Sequence, residues 1–545
     1  MKLSGYLAVL LLFSHINSVN GQITETIKWK KTEVSFVSSV SYENPVQDLR
    51  SFKVTFQSPS GRQKTINGFW DGGDIWKARF MPDEEGIWTF ETICSDPGNT
   101  GLVEQKGEFL CKSEQDNRDI FRLGPVIRQK GYYHLAHADG SPFFYLACTA
   151  WNGALKSTDG EWDQYLEHRA KNNYSVIQLV TTQWRGCDMN SLGQVAFEGC
   201  GRIKINPEFF RLLDKKIDRV NDFGLVAAPV ILWALQGGTG RELSPGYYLP
   251  DDQAILLARY IVARYGGNHV IWFLGGDGNY TGTYEQRWKT IGRAVFDGTH
   301  QGIVAQHPQG TSWIGNIYSD EEWLDIIGYQ SSHSNEKGTV EWITRGPVSK
   351  EWPMLPARPL INLEPNYEEI HMKITDRDVR NASWWSLFTA PLAGISYGAN
   401  GIWPWLRPGE KILNHSDGPG TSPWYESINF PGSIQMGYMA SFIKEFNWWD
   451  LRPAPELLLE QPGDSLYNLF VSVVKSHDNR IILAYFPARL QAGFRKPFDD
   501  EYTVRWFNPA NNEYAEGRAE ERNGIIYLTP PGDSDFICIL EYKGS

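Results

Sequence analysis

Eight apolar runs, most of them followed by a stretch of helical period, constrain this chain more than any other feature. "FFYLACTAW" precedes "GEWDQYLEHRAKNN", and "SVIQLVTTQW" precedes "PEFFRLLDKKIDRVNDFG". "LVAAPVILWA" precedes "DQAILLARYIVARYGG", and "VIWFLGGDGN" precedes "YEQRWKTIGRAVF". "GIVAQHPQ", "LDIIGYQSSHS", "PLINLEPNYE" and "GISYGANGIWPW" complete the series. The runs are continuous rather than alternating, as a parallel sheet covered on both faces requires. Eight such units over roughly 300 residues predict a (β/α)8 TIM barrel. A doubly wound sheet would need a glycine-rich phosphate loop after its first strand, and "ACTAWNG" is not one.

Either side of the barrel the period changes to two. Segments such as "FKVTFQSPSGRQKTINGFWDGG" and "WKARFMPDEEGIWTFETIC" predict an N-terminal antiparallel β-sandwich with no helix in it. "RIILAYFP", "YTVRWFNPANNEY", "GIIYLTPP" and "DFICILEYK" predict a second one at the C-terminus. The expected organisation is 22–118 for the first sandwich, 119–450 for the barrel and 451–545 for the last sandwich. Residues 1–21 read as a signal peptide: Lys2, then an apolar stretch from Tyr6 to Phe13, then small residues before a cut after Gly21. A secreted or periplasmic protein is expected, without a lipid anchor or membrane-spanning helix.

The net charge of −12 and the lack of any Lys/Arg run argue against nucleic acid and anionic membranes as partners. The 22 Trp, 25 Tyr and 27 Phe suit stacking on sugar rings, so an oligosaccharide or polysaccharide is the partner expected. No CxxC pair or zinc-like Cys/His spacing occurs, so neither a metal nor a cofactor is expected. Cys94 with Cys111, and Cys187 with Cys200, are near enough in sequence to bridge, whereas Cys148 and Cys538 read as buried thiols. His134 and His137 read as part of a small hairpin at the barrel base.

Catalytic groups of a TIM barrel stand at the C-terminal ends of its strands. The fourth apolar run ends at Asp277 and the seventh at Glu364. Strands four and seven lie across the mouth from one another, and two opposed carboxylates are the equipment for glycoside cleavage. Trp272, His307 and Tyr367 stand near them in the pattern and are expected to push the two pKa values apart.

The motifs "HADGSPFFYLACTAW", "YLEHRAKNNYSVIQ", "FLGGDGN", "WLDIIGYQSSH", "NLEPNYE", "YGANGIWPW" and "NWWDLRP" carry a resemblance to the apiosidase-like (DUF4038) glycoside hydrolases. The resemblance includes a DUF5060-type N-terminal sandwich and a C-terminal sandwich of the kind labelled collagen-binding, and it covers nearly all of the chain after residue 21. It implies Asp277, in the GGD motif, and Glu364, in the EP-x-YE motif, as the catalytic pair of a glycosidase; analogy with the strand-four and strand-seven pattern of many barrel glycosidases makes Asp277 the expected general acid/base and Glu364 the expected nucleophile of a retaining reaction. There is one departure. Such proteins commonly read Gly-Asp-Thr-Ala-Trp after strand one, where this chain has Ala147-Cys148-Thr149-Ala150-Trp151. An acid is thereby expected to be missing from the mouth.

Other strand-end residues are candidate sugar contacts: Trp151, Asn152, Trp184, Arg185, Trp233, His307, Gln330, His333, Tyr367, Tyr397, Asn400 and Trp403. Arg185 is the one suited to an acidic sugar. A polysaccharide lyase and a non-catalytic carbohydrate-binding protein are the alternatives. Arg185, His307 and Tyr367 would serve the first, and the aromatic residues alone the second.

Overall fold

The computed structural model describes residues 24–415, 422–496 and 502–542; the expected signal peptide lies outside them. All eight apolar runs are strands: β1 (Tyr145–Thr149), β2 (Val176–Val180), β3 (Val226–Trp233), β4 (Ile271–Gly276), β5 (Ile303–Gln306), β6 (Ile326–Gln330), β7 (Leu360–Glu364) and β8 (Gly394–Ala399). Every neighbouring pair is parallel, and β1 also pairs with β8, so the sheet closes into an eight-stranded barrel. The strands are buried on both faces, which is why they read as unbroken apolar runs.

Local chemistry sets where the helices begin. Thr158 and Glu161 form a reciprocal capping box at the start of helix Asp159–Lys171, and Thr375 and Asp378 do the same for Asp376–Thr389. Helix Pro207–Asp222 has Asn206 as its cap and proline in its first turn. A bulge interrupts the pairing of β6 with β7. Tyr329 faces Asn362, but the next residue, Gln330, faces Glu364. The extra residue, Leu363, re-aims the carboxylate that ends β7.

The chain divides into two compact units, one running to Gln115 and including Val262–Asn268, the other holding the rest. The first has a five-stranded and a three-stranded sheet. Its core is aromatic, with Phe56 stacked on Phe80 and Trp88 on Phe109. A single helical turn, Pro45–Asp48, interrupts the strands, where the sequence suggested none.

In the second unit the barrel is joined to a C-terminal pair of sheets, six-stranded and three-stranded. Arg380, on helix Asp376–Thr389, donates to Asp535 of this sandwich through Nε and Nη2, at 2.8–3.2 Å, with both side chains buried. Arg377 Nη2 donates to the Pro487 carbonyl at 2.6 Å, and Trp385 Nε1 to that of Phe470 at 2.9 Å. His137 lies in a small three-stranded sheet before β1, its Nδ1 3.0 Å from the Gly124 carbonyl oxygen.

All six cysteines are free thiols, so neither of the two pairings that the spacing left open is formed. Cys111 stands opposite Gly86, at the far end of the strand that Cys94 closes, about 27 Å away at strand rise. The Cys187 and Cys200 thiols turn to separate carbonyls, those of Met189 and Tyr248. Cys148 and Cys538 are buried. Among the described residues no helix is long and apolar enough to cross a membrane.

Candidate active site

Asp277 is the first residue beyond β4 and Glu364 the last of β7, which brings both to the C-terminal mouth of the barrel. The glycines around Asp277 are demanded by space. A Cβ on Gly276 would lie 2.7 Å from atoms of Trp233 and Val230, and one on Gly278 would lie 2.6 Å from the Tyr280 ring. Asp277 itself has φ 48°, in the left-handed region. That conformation costs a side-chain-bearing residue on the order of 1 kcal/mol, and aspartate tolerates it better than most. It is held in place by a bridge between Gly278 and Pro308 and by the Asp277 N–H, which donates to His307 Nδ1 at 2.9 Å.

That hydrogen bond fixes the His307 tautomer. With Nδ1 accepting, the ring proton resides on Nε2, which is 3.1 Å from Glu364 Oε2, off the line of a straight hydrogen bond. On the other side of the carboxylate, His333 Nε2 is 3.0 Å from Oε1 while His333 Nδ1 is 2.8 Å from the Pro365 carbonyl oxygen. Both nitrogens of His333 thus face oxygen. The Tyr367 ring packs 4.2 Å from that of His333, and its hydroxyl accepts from Trp151 Nε1 at 2.9 Å.

These surroundings drive the two acids apart. Burial, then the charge of Glu364, push Asp277 well above the ordinary carboxylate range, with Arg185 opposing. Burial also acts to raise Glu364, but the two imidazoles flanking it outweigh burial and hold that carboxyl below its usual value. Glu364 is only 6% exposed, whereas Asp277 is half-buried and reaches the cleft. One acid keeps its proton and the other keeps its charge.

Four of the predicted tryptophans form one wall. Trp184 and Trp233 have ring centroids 4.1 Å apart, Trp151 meets Trp233 at 5.5 Å and His307 at 5.6 Å, and Trp403 lies 6.2 Å from Trp184. The indole N–H groups of Trp233 and Trp403 are buried without an acceptor, as are both ends of the Asn400 amide and the Gln330 Oε1 without a partner. Polar groups left so are costly unless a ligand completes them. His415 joins the wall 4.7 Å from Trp403, on a loop far from its strand in sequence, where no pattern marks it.

Other expected contacts are placed elsewhere. Tyr397 faces the outer helical layer, giving its hydroxyl to Glu368 at 2.7 Å. Asn152 spends its amide on the loops, accepting from Trp184 Nε1 and donating to the Gly186 and Pro404 carbonyls. Trp272 lies near the opposite end of the barrel, where its Nε1 donates to the Gln301 carbonyl just before β5. Arg185 stands at the mouth, held by the Thr239 and Asn414 carbonyls. Cys148 is not a mouth residue. Its thiol packs 3.8 Å from Arg169 in the outer layer, so the departure from Gly-Asp-Thr-Ala-Trp removes no acid from the cleft.

Among the described residues, no group of three His, Cys, Asp or Glu side chains is placed to hold a metal ion. A family model described as "Apiosidase-like, catalytic domain" matches residues 129–450, and one described as "Domain of unknown function (DUF5060)" matches 25–95. A solved structure named a glycoside hydrolase is similar at 23% identity and TM-score 0.67, over 78% of this chain and 98% of its own. A glycoside hydrolase family 5 structure from Bacteroides vulgatus is similar at 21% identity and TM-score 0.67, over 78% and 95%. No curated protein matches. Barrel, mouth and family model together define a glycoside hydrolase. The chain belongs to the apiosidase-like family, with a DUF5060 domain ahead of its catalytic barrel.

Proposed function

We propose that this enzyme is exported and cleaves an O-glycosidic bond in oligosaccharides of a complex plant or algal polysaccharide, with retention of configuration. Asp277 is the general acid/base and Glu364 the nucleophile. The observation that carries the reading is the opposed electrostatics of two carboxyls at facing strand ends. A protonated, cleft-facing acid is suited to hand its proton to the leaving oxygen. An ionised carboxylate held between two imidazoles is suited to attack the anomeric carbon. In the second half-reaction Asp277, now deprotonated, takes a proton from the water that releases the sugar.

The indole wall supports an oligosaccharide rather than a single sugar, and the unpartnered N–H groups of Trp233 and Trp403 supply donors for its oxygens. The charge of Arg185 reaches Asp277, which supports a carboxylate- or sulfate-bearing sugar beside the acid. The family name points to apiose as the released sugar, and the change at Cys148, outside the mouth, gives no reason against it. Apiosides therefore come first in a screen of pectic, hemicellulosic and sulfated algal oligosaccharides.

Asp277→Asn and Glu364→Gln are each expected to lower turnover by about 10³-fold or more with the fold intact by circular dichroism. Activity should fall as pH rises through the elevated pKa of Asp277, and this limb should vanish in Asp277→Asn. An NMR time course of the first-formed anomer tests retention. Inverted product would remove Glu364 as nucleophile and make it a base for water, while full activity in both variants would end the assignment of Asp277 and Glu364 as the catalytic pair.

A further inference from the structure

The loops that follow β1, β2 and β8 enclose a cavity of about 480 Å³ on the mouth face of the barrel. Each of these loops carries a wall tryptophan before it reaches the cavity. Trp184 and Cys187 exchange backbone hydrogen bonds at 2.9 Å across a tight turn, which has Trp184 in the wall and Gly186 and Cys187 on the cavity lining. A Cβ on Gly186 would lie 2.5 Å from the Trp184 ring, so the indole itself is the partition between wall and cavity. Asn152, next after Trp151, lines the cavity and accepts from Trp184 Nε1 at 2.8 Å. Leu413 stands on the rim, its carbonyl oxygen 2.7 Å from Nδ1 of His415, the wall residue beside Trp403. Wall and cavity therefore share one rim.

The cavity is braced before any ligand arrives. Asn152 Nδ2 donates to the Gly186 and Pro404 carbonyls at 2.8 and 3.3 Å, which ties the three loops together. Lys156 Nζ pairs with Glu410 at 2.9 Å, and Arg407 Nη2 donates to the Lys156 carbonyl at 2.9 Å and to Glu161 at 2.8 Å. Those two cations are neutralised. Asp188 and Lys411, also on the lining, pair neither with each other nor with any other ion-pair or hydrogen-bond partner among the described residues. Buried Leu406 and Ile412 make the inner surface apolar, and Met189 and Leu413, 45% and 39% exposed, do the same for the rim. A preformed, partly apolar cavity with a few uncommitted polar groups is the usual make of a small-ligand site.

We propose that this cavity is an outer sugar subsite, which holds a neutral sugar unit of a chain that leaves the cleft over the His415 rim. A carboxylate accepts from sugar hydroxyls and an ammonium donates to them, so Asp188 and Lys411 together suit one polyhydroxyl ring. Their opposite signs cancel, which favours neither an anionic nor a cationic unit. The apolar floor and rim are left for the C–H faces of the ring. The cavity lies across the Trp184 indole from the cleft, so it selects among longer chains and takes no part in the bond-breaking step. The inference rests on the polysaccharide reading above.

The test compares wild type with Asp188→Asn, Lys411→Met and the double variant. The probes are size-fractionated oligosaccharides from partial acid hydrolysis of pectin and xyloglucan, with turnover followed by reducing-end release. The double variant is expected to raise KM about tenfold or more for the longer fractions, as loss of a charged hydrogen bond implies. On the shortest cleaved fragment its kcat and KM should match wild type. Equal loss on long and short fractions, or no loss on either, would overturn the subsite and leave Asp277 and Glu364 standing. A loss confined to uronate-bearing fractions and reproduced by Lys411→Met alone would overturn the neutral unit. If wild type cleaves none of the fractions, the substrate class proposed above falls, and binding decides the subsite. Retention of long fractions by immobilised wild type that the double variant loses supports it, and equal or absent retention overturns it.

Discussion

Glu368 shows how far one carboxyl can be displaced by its surroundings without touching substrate. It follows Tyr367 in the same short motif as Glu364, yet it points into the outer layer, where Tyr397 and the Gly432 N–H donate to it. Burial dominates and raises its pKa to about 7, from an ordinary 4.5. A carboxyl with a raised folded pKa favours the fold fully below its unfolded pKa and loses that contribution as pH rises through the folded one. Between pH 4.5 and 7 wild type should therefore give up about 3 kcal/mol from this group. Glu368→Gln cannot ionise, so its melting temperature should change less between pH 5 and pH 8. Parallel curves for the two proteins would show that the carboxyl ionises no later than usual. Nearby, Arg169 is buried with no carboxylate beside it among the described residues. Its neighbours are Cys148, His168 and the Ile428 carbonyl.

At the scale of elements, the end of β4 is built around the absence of side chains. Trp233 packs against Trp151 and Trp184, so it has nowhere to move if Gly276 gains a methyl group. Gly276→Ala should cost about 1–3 kcal/mol by overpacking and lower the melting temperature on the order of 5 °C. Gly160→Ala is the control: nothing lies within 4 Å of its added Cβ in helix Asp159–Lys171, and it should be neutral or stabilising. Equal effects from the two would refute the crowding at Gly276. The same elements mark what a sequence can reveal. The eight strands and their terminal acids were readable because a parallel strand buried on both faces leaves an unbroken apolar run closed by a polar residue. That same two-sided burial erases the contrast between lumen and outer layer. Tyr397 and Cys148 therefore read like mouth residues although they face helices, and the depth of Trp272 was equally hidden. The bulge at Leu363 left no mark in the sequence, because it is a matter of register between two strands.

For the whole molecule, the joint between barrel and C-terminal sandwich is a buried ion pair. Arg380 and Asp535 are 5% and 0% exposed, and Tyr485 donates to the same aspartate. Without Asp535, Arg380 keeps Asp376 and Gln435 on its Nη1 but loses the acceptor of its Nε and Nη2, so Asp535→Ala should cost about 1–3 kcal/mol. Limited proteolysis checks it: wild type should resist cleavage near Leu451, and the variant should release a C-terminal fragment. Free release from wild type would mean that the two parts are only loosely tied. A firm joint of this kind fastens together two parts of different make. Asp277 and Glu364 stand at strand ends of the barrel, whereas Tyr467 and Asn468 lie in a short turn of the C-terminal part.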